Sequence, residues 1–399
     1  MKTARFIEVE DRYGAHNYHP LDIVIRKAEG VWVEDVEGRR YIDFLAAYSA
    51  VNQGHCHPRL LKVLRRQAAR CTLTSRAFRN DQLPLFCREI SELTSYEKVL
   101  PMNSGAEAVE TAIKAARKWG YTIKGIPADQ AEIIVCADNF HGRTTTIVGF
   151  STEPQYRDGF GPFTPGFKII PFGDVEALAR AITPNTCAFL VEPIQGEAGI
   201  VVPPEGFLGR AAAICREHRI LLIVDEIQSG LGRTGKLFAY EWENVIPDGV
   251  IIGKALSGGF YPVSAFLSSH EVMDVFKPGD HGSTFGGNPL GMAVAREAIR
   301  VLREEKLIEN SARLGPWFME KLGSLDFPSI ETVRGKGLWI GLVLKKKARP
   351  YCEALKEAGL LCKETHENVI RFAPPLCITR KELNTAFKRV QKVFRKLDG

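Results

Sequence analysis

The 399-residue sequence is short of the features that would commit it to a specialised class. Its nine cysteines, at positions 56, 71, 87, 136, 187, 215, 352, 362 and 377, include no CxxC pair and form no even-numbered framework. That argues against a disulfide scaffold or a zinc module and suits free thiols in a reducing compartment. Long apolar runs are missing too. The longest aliphatic stretch is Ile220 to Val224, against the roughly 20 apolar residues of a membrane span, so no membrane partner is expected. Nor is there much excess charge of one sign: 53 Lys and Arg against 47 Asp and Glu leave +6. The densest basic run, Lys345 to Lys347, reads as a solvated edge and not as a nucleic-acid surface. The opening MKTARFIEVEDRYG lacks a secretory apolar core, and its Glu8, Glu10 and Asp11 are foreign to a transit peptide, so a cytoplasmic protein is expected. What is present is a 45% apolar composition, enough for two or three domains of about 150 residues each and unlike disorder or collagen.

From about residue 100 to 290, short β-branched runs alternate with longer amphipathic segments. This is the βαβα rhythm of a mostly parallel sheet between helices. Strands are predicted at 133–136, 169–170, 187–191, 221–224, 250–252 and 263–267. The spacing predicts a helix over 106–119, with Val109, Ala112, Ile113, Ala116 and Trp119 on one stripe. Glu107 and Glu110 lie in its first half and Lys114, Arg117 and Lys118 in its last, in agreement with the helix dipole. After Pro289 the pattern becomes a long helical segment, strands at 338–344, 360–363 and 369–372, and a final helix from about 380 to 396. The expected fold class is therefore α/β, with a large domain over 51–290 and a smaller α+β domain over 291–399. The aromatic, turn-rich segment 1–50 is expected to pack against the small domain or across a subunit boundary. No internal repeat is visible.

In an open parallel sheet, ligands sit outside the carboxyl ends of the strands, so polar residues that directly follow apolar runs are the first candidates. There are three such places. ILLIVDEIQSG ends its strand in Asp225 and Glu226; VIIGKALSGG ends in Gly253 and Lys254; and LPMNSGAEAVE places Asn103, Ser104 and Gly105 before the predicted helix, where unpaired N–H groups can take a phosphate. A carboxylate, a lysine and an anion cradle are the parts that hold pyridoxal phosphate. The lysine bonds the aldehyde, the carboxylate keeps the pyridine nitrogen protonated, and the helix N-terminus takes the phosphate. Each part alone has a plainer reading, as a surface cation or a helix cap. Their joint appearance in one alternating domain favours the cofactor.

Longer runs carry a resemblance over nearly the whole chain: YGAHNYHPL at 13–21, YSAVNQGHCHP, TLTSRAF, NFHGRT, VEPIQGEAG, DEIQSGLGRTG, GKALSGG, HGSTFGGNPL and VIRFAPPL at 369–376. Together they resemble the class III (subgroup II) pyridoxal-phosphate aminotransferases of fold type I. The resemblance implies pyridoxal 5'-phosphate as cofactor, with Lys254 as the lysine that bonds the aldehyde and shuttles the proton and Asp225 as partner of the pyridine nitrogen. It implies Gln228 beside the phenolic oxygen, Phe140 stacked on the ring, and Ser104, Gly105 and Ala106 on the phosphate. Thr284 would reach that phosphate from the second subunit of a homodimer. Two positions depart from the commonest pattern in a way that fits a bacterial-type enzyme. His141, in the cofactor site, follows Phe140 where a Trp is frequent, and Ser104 stands where a Thr is usual.

NYHPL with AAYSAVNQGH resembles the ornithine-using branch of the family, at the crossing of arginine and proline metabolism. The reaction so implied is ping-pong transfer of the δ-amino group of ornithine to 2-oxoglutarate. The alternatives within the family are acetylornithine and 4-aminobutyrate. Arg371 would grip the oxo acid, an arginine's planar fork being suited to carboxylates. Glu197 would pair with Arg371 during the ornithine half-reaction, and Arg143, Tyr18 and Tyr48 would hold ornithine's distant α-amino and α-carboxylate groups. Their plainer readings are a snorkelling edge cation, an exposed loop carboxylate and packing aromatics.

Two decoys and one rival complete the reading. Gly230, Gly232 and Gly235 spell GxGxxG after a strand, but DEIQS intervenes and KLFAYEWEN is a poor helix start, so a nicotinamide-binding dehydrogenase is disfavoured. His55, Cys56 and His57 are adjacent residues that cannot readily all face one tetrahedral ion, so no metal is expected and a capped turn before the helix at Pro58 is preferred. A catalytically dead scaffold paralogue gains no support, because Lys254 and Asp225 are both present.

Overall fold

The computed structural model describes residues 2–398, which build three sheets. After the helix Thr3–Tyr13 the chain forms the antiparallel neighbours β1 (Ile25–Glu29), β2 (Trp32–Asp35) and β3 (Arg40–Asp43). It then supplies β4 (Lys98–Met102), β5 (Glu132–Cys136), β6 (Phe167–Ile170), β7 (Thr186–Val191), β8 (Leu221–Asp225), β9 (Gly249–Ile252) and β10 (Ser264–Ser268) to a seven-stranded sheet of order β4-β10-β9-β8-β7-β5-β6. C-terminally come β11 (Ile330–Lys336), β12 (Trp339–Leu344), β13 (Leu360–Leu361), β14 (Lys363–Thr365) and β15 (Val369–Phe372). Of these, β11-β12-β15-β14 form an antiparallel sheet, while β13 crosses to the N-terminal sheet and pairs parallel with β3, Leu360 opposite Ile42. Among the described residues no helix is long and apolar enough to cross a membrane.

The six strands predicted between 133 and 267 are all present, and β5 to β9 are parallel. Strand β10 is antiparallel to both β9 and β4. Its connection from β9, residues 253–263, is too short for a parallel crossover, which takes about a dozen residues or more. Sequence reading misses β4 because Pro101 interrupts the apolar run. That proline is tolerated because β4 is an edge strand, paired on one side only.

The central strands are buried on both faces, which is why they read as unbroken apolar runs. Ile133, Val135, Leu190, Ile223 and Ile251 belong to one core, sealed by the helix Gly105–Trp119 through Ala108, Val109, Ala112, Ile113, Ala116 and Trp119. Ile134, Phe189, Val191, Val224 and Ile252 belong to the other, covered by the helices Phe207–Glu217 and Pro289–Glu304. Full burial of one such aliphatic side chain contributes about 2 kcal/mol.

The GLGRTG segment does structural work. Gly235 sits at φ +89°, and a Cβ there would lie 2.7 Å from the backbone of Ala312, in the helix Leu307–Gly323. Arg233 is wholly buried, its guanidinium donating to the carbonyls of Leu338 (2.9 Å) and Pro374 (2.7 Å) and to the side-chain oxygen of Asn52. All three acceptors are neutral, and burial pushes its pKa down to about 9 with only Asp43 opposing. One cation thus ties the strand-end loop to both the N- and C-terminal segments. The adjacent histidines diverge: His55 Nε2 lies 2.7 Å from Asp43, whereas His57 pairs with Glu305 and makes no side-chain cap for the helix Pro58–Ala68. The expected capped turn is therefore an uncapped helix start led by Pro58.

Arg233→Met is expected to lower the unfolding free energy by about 3 kcal/mol, since three buried acceptors lose their donor. Arg233→Lys should recover part of the loss because a point donor serves fewer of them. Denaturant unfolding reads both, and wild-type stability in Arg233→Met would remove the clamp.

Candidate functional site

The carboxyl ends of β5, β7, β8 and β9 and the helix that follows β4 converge on a cavity of about 140 Å³. Of the residues singled out from the sequence, Gly105, Ala106, Phe140, His141, Asp225, Gln228 and Lys254 line it. The strand-end rule therefore brings together residues spread over some 150 positions of sequence.

Lys254 follows β9 through Gly253 and opens a tight 3-10 turn, Lys254–Ser257. Its φ of +42° is left-handed, a strain of about 1 kcal/mol or more for a residue with a Cβ. Burial lowers the pKa of its amine, with Glu197 and Asp225 pulling the other way. Asp225, the last residue of β8, is buried. Its Oδ1 accepts the Ile227 N–H at 3.0 Å, and its Oδ2 lies 2.7 Å from His141 Nδ1. Burial alone would push the His141 pKa down, but its bond to Asp225 and the charges of Asp225 and Glu192 bring it above the usual imidazole value.

Glu192 was not among the residues expected from the sequence. It follows β7, lines the same cavity, and accepts N–H groups from Phe140 at 3.0 Å and Gly196 at 3.3 Å. Burial pushes its pKa up to about 7, with Asp225 adding to the rise. The signal was in the sequence: Glu192 follows the apolar run CAFLV as directly as Asp225 follows ILLIV.

The anion cradle is the N-terminus of Gly105–Trp119. The Ser104 hydroxyl accepts the Glu107 N–H at 3.2 Å in a capping box, and Glu107 in return accepts the Ser104 N–H at 2.6 Å. The Ser104 hydroxyl is thus engaged in the cap, and the open donors are the backbone N–H groups of Gly105 and Ala106, which have no partner among the described residues. A Cβ on Gly105 would stand 2.9 Å from the end of the Ile227 side chain, so a larger residue there would push that side chain aside. An amine, a fixed carboxylate and a positive helix end around one cavity fit the three anchoring needs of pyridoxal phosphate.

Arg371, on β15, is buried beside the cavity. It donates to Glu197 Oε1 at 3.1 Å, to the Gly196 carbonyl at 2.9 Å and to Gln228 Oε1 at 3.5 Å. Gln228 also donates to Glu197 at 3.1 Å, so the three side chains form one network. Burial works against the Glu197 carboxylate, but Arg371 outweighs it and the pKa is lowered. Tyr48 lies with its ring 5.3 Å from the Arg371 guanidinium, a cation–π contact. It is presented by an unusual turn: Ala46, Ala47, Tyr48 and Ser49 all have positive φ, between 47° and 72°. Left-handed backbone costs about 1–2 kcal/mol per residue. Asp43 holds the entry, accepting the N–H groups of Leu45 at 2.8 Å and Ala46 at 3.0 Å.

Tyr18 is exposed and adds to the raised pKa of Tyr48, which is caused first by burial and then by Glu197. Arg143 is exposed, 4.1 Å from the Tyr156 ring centre, with no carboxylate within ion-pair distance among the described residues. Thr284 is exposed and lies away from this cavity, while its neighbour Ser283 accepts a bond from Asn103 at 2.8 Å.

Residues 13–394 match the class-III aminotransferase family. The chain is 60% identical over 393 residues to an ornithine aminotransferase of Brevibacillus brevis, covering 98% of each. An ornithine aminotransferase structure from Toxoplasma gondii, with PLP partly occupying its active site, superposes with a TM-score of 0.98 at 47% identity, over 99% of this chain and 95% of that one. An acetylornithine aminotransferase structure from Elizabethkingia anophelis gives a TM-score of 0.92 at 49% identity, over all of both chains.

Lys254→Ala is expected to bind pyridoxal phosphate without the borohydride-trappable bond and to lose nearly all transamination, read by absorbance and mass. Wild-type turnover in this variant would mean that another amine does the work.

Proposed function

The chain belongs to the class-III aminotransferase family, and from that membership we propose that it transfers the δ-amino group of L-ornithine to 2-oxoglutarate. The products are glutamate and glutamate 5-semialdehyde, which cyclises to pyrroline-5-carboxylate. The observation that carries this reading is a buried guanidinium already masked by a carboxylate, Arg371 with Glu197. The two substrates place their carboxylates differently. 2-Oxoglutarate carries one beside its reacting carbon, which Arg371 would take with parallel N–H donors. Ornithine has none near its δ-carbon, and a bare guanidinium there would be an unpaired buried charge. Glu197 would neutralise it in that half-reaction and swing aside in the other, with Gln228 holding either arrangement.

Pyridoxal phosphate, the family's cofactor, supplies an aldehyde that takes up amines and a protonated ring that disperses the electron pair left when a carbon loses its proton. Lys254 would hold that aldehyde and, once released, move the proton from the substrate's δ-carbon. Its lowered pKa supplies the neutral amine a base needs. Asp225 would face the ring nitrogen, Phe140 the ring and Gln228 its phenolic oxygen, while Gly105 and Ala106 would take the phosphate at the Ser104 cap. Arg143, Tyr18 and Tyr48 would hold ornithine's α-amino and α-carboxylate groups.

The residues fall to a cofactor-holding domain over 51–290, with 291–399 supplying Arg371 and 1–50 supplying Tyr18 and Tyr48. A homodimer, in which Thr284 serves the neighbouring subunit's phosphate, is supported by the exposed aromatic rings beside it and on the TLTSRAF segment, Phe285 and Phe78. Nine unbridged cysteines suit a cytoplasmic setting.

The likeness to an acetylornithine aminotransferase favours one second reading. Acetylornithine lacks the free α-ammonium, so the Tyr18 side of the site decides between them. Half-reaction rates read from the cofactor's absorbance should rank ornithine above acetylornithine and 4-aminobutyrate; acetylornithine reacting faster would replace the proposal. Tyr18→Ile should lower kcat/KM for ornithine by about tenfold or more, the loss of one hydrogen bond to a charged substrate group, and leave 4-aminobutyrate within about twofold. Equal losses would take Tyr18 out of substrate choice.

A further inference from the structure

The helix Gly105–Trp119, whose N-terminus forms the anion cradle, is also gripped by residues 277–287, the segment that carries Thr284. Lys118 pairs with Asp280, Lys114 donates to the Asp280 carbonyl at 3.1 Å, and Asn103, just before the helix, donates to the Ser283 hydroxyl at 2.8 Å. Within this grip lies His281, its Nε2 2.8 Å from the Thr111 hydroxyl and its Nδ1 3.0 Å from the Lys114 ammonium. The ring stacks on Phe276, 5.3 Å between centres and 18° from parallel. Thr284 itself is exposed, and a Cβ on Gly282 would meet nothing within 4 Å. The polar ties at His281 and Ser283 are therefore what place Thr284.

The partners of the ring fix where its proton sits. The Thr111 hydroxyl donates its one hydrogen to the Glu107 carbonyl at 2.7 Å, so toward His281 it accepts, and Nε2 must carry a hydrogen. An ammonium has only donors, so Nδ1 must offer Lys114 its lone pair. Only the neutral ring with its proton on Nε2 meets both demands. A doubly protonated ring would set an N–H against the Lys114 ammonium. We infer that His281 is a positioning residue: as a neutral imidazole protonated on Nε2, it clasps residues 277–287 to the cradle helix of its own subunit and so fixes where Thr284 stands for the neighbouring subunit's phosphate. The charged groups around the ring are Glu107, Lys114 and Lys118 from the helix and Asp280 from its own segment. Burial and then Lys114 lower its pKa, with Glu107 opposing. The clasp is therefore complete above the usual imidazole value and is lost as the pH falls from there through the lowered one.

The inference rests on the proposed homodimer in which Thr284 serves the neighbour's phosphate, and it is read as cofactor affinity with no amino donor present. Pyridoxal-phosphate dissociation constants are measured from about pH 7.5 down to about pH 5 for wild type, His281→Gln, His281→Phe, Thr284→Val and His281→Phe combined with Thr284→Val. A glutamine supplies an acceptor and a donor spaced much as the ring nitrogens are, and it does not titrate. A phenylalanine keeps the stacking and supplies neither. At about pH 7.5 His281→Phe should bind about tenfold more weakly, the loss of one charge-assisted bond and its neighbour, while His281→Gln stays close to wild type. As the pH falls, wild type should weaken relative to His281→Gln; the cofactor's own titration affects both alike. On top of Thr284→Val, His281→Phe should cost nothing further, since it acts through that threonine. Wild-type affinity in His281→Phe, one pH profile shared by wild type and His281→Gln, or full additivity of the two substitutions overturns the inference. Thr284→Val at wild-type affinity would overturn the shared phosphate and the role of His281 together, whereas a loss in Thr284→Val with none in His281→Phe removes His281 alone. Should His281→Phe not fold, amide hydrogen exchange of the wild type decides. Corrected for its intrinsic rate, protection of residues 277–287 should fall over the same pH range, and constant protection refutes the clasp.

Discussion

A sheet buried on both faces leaves little room for charge. Along β7, β8 and β9 the apolar side chains pack into cores that the helix Gly105–Trp119 closes on one face and other helices on the opposite face, so an ionised group in the middle of these strands would lie in hydrocarbon. Charge is tolerated where the strands stop. Glu192, Asp225 and Lys254 occupy the first or second position past such runs, close enough for each carboxylate to influence the lysine. Everything the site does follows from this enforced gathering.

Gathering alone would be ruinous, since two buried carboxylates repel and each loses its hydration. The pocket answers with unequal environments. Asp225 receives a main-chain donor and an imidazole, Glu197 receives a guanidinium, and Glu192 has only peptide N–H groups. Burial pushes the pKa of the last up to about 7. Lys254 is pulled both ways, by burial toward the free amine and by Glu197 and Asp225 toward the ammonium. A base that must also give its proton back works best near that balance.

Much of this was legible in the sequence. Strands buried on both faces announce themselves as continuous apolar runs, and the polar residue at each end points into the site, which located Asp225, Lys254 and the Ser104 cap. The same rule would have located Glu192 had it been applied to CAFLV as well as ILLIV. Other features were beyond it. The β4 strand is disguised by Pro101, which only an edge position tolerates. The left-handed turn under Tyr48 contains no glycine, AAYS being an ordinary helical string, and it takes tertiary restraint to hold four such residues at positive φ. The tie between His141 and Asp225 depends on a distance across the fold. Arg233 reads as part of a glycine-rich fingerprint until its three acceptors on distant segments are seen.

The pairing of β3 with β13 has a consequence for how the protein is made. Roughly 300 residues separate the two strands, so at a synthesis rate of about 5–20 residues per second β3 emerges from the ribosome some ~15–60 s before its neighbour exists. During that interval its outer edge has unsatisfied amide and carbonyl groups, an invitation to other nascent chains. The segment that carries Tyr48 is thus translated long before the strand that locks β3 in place.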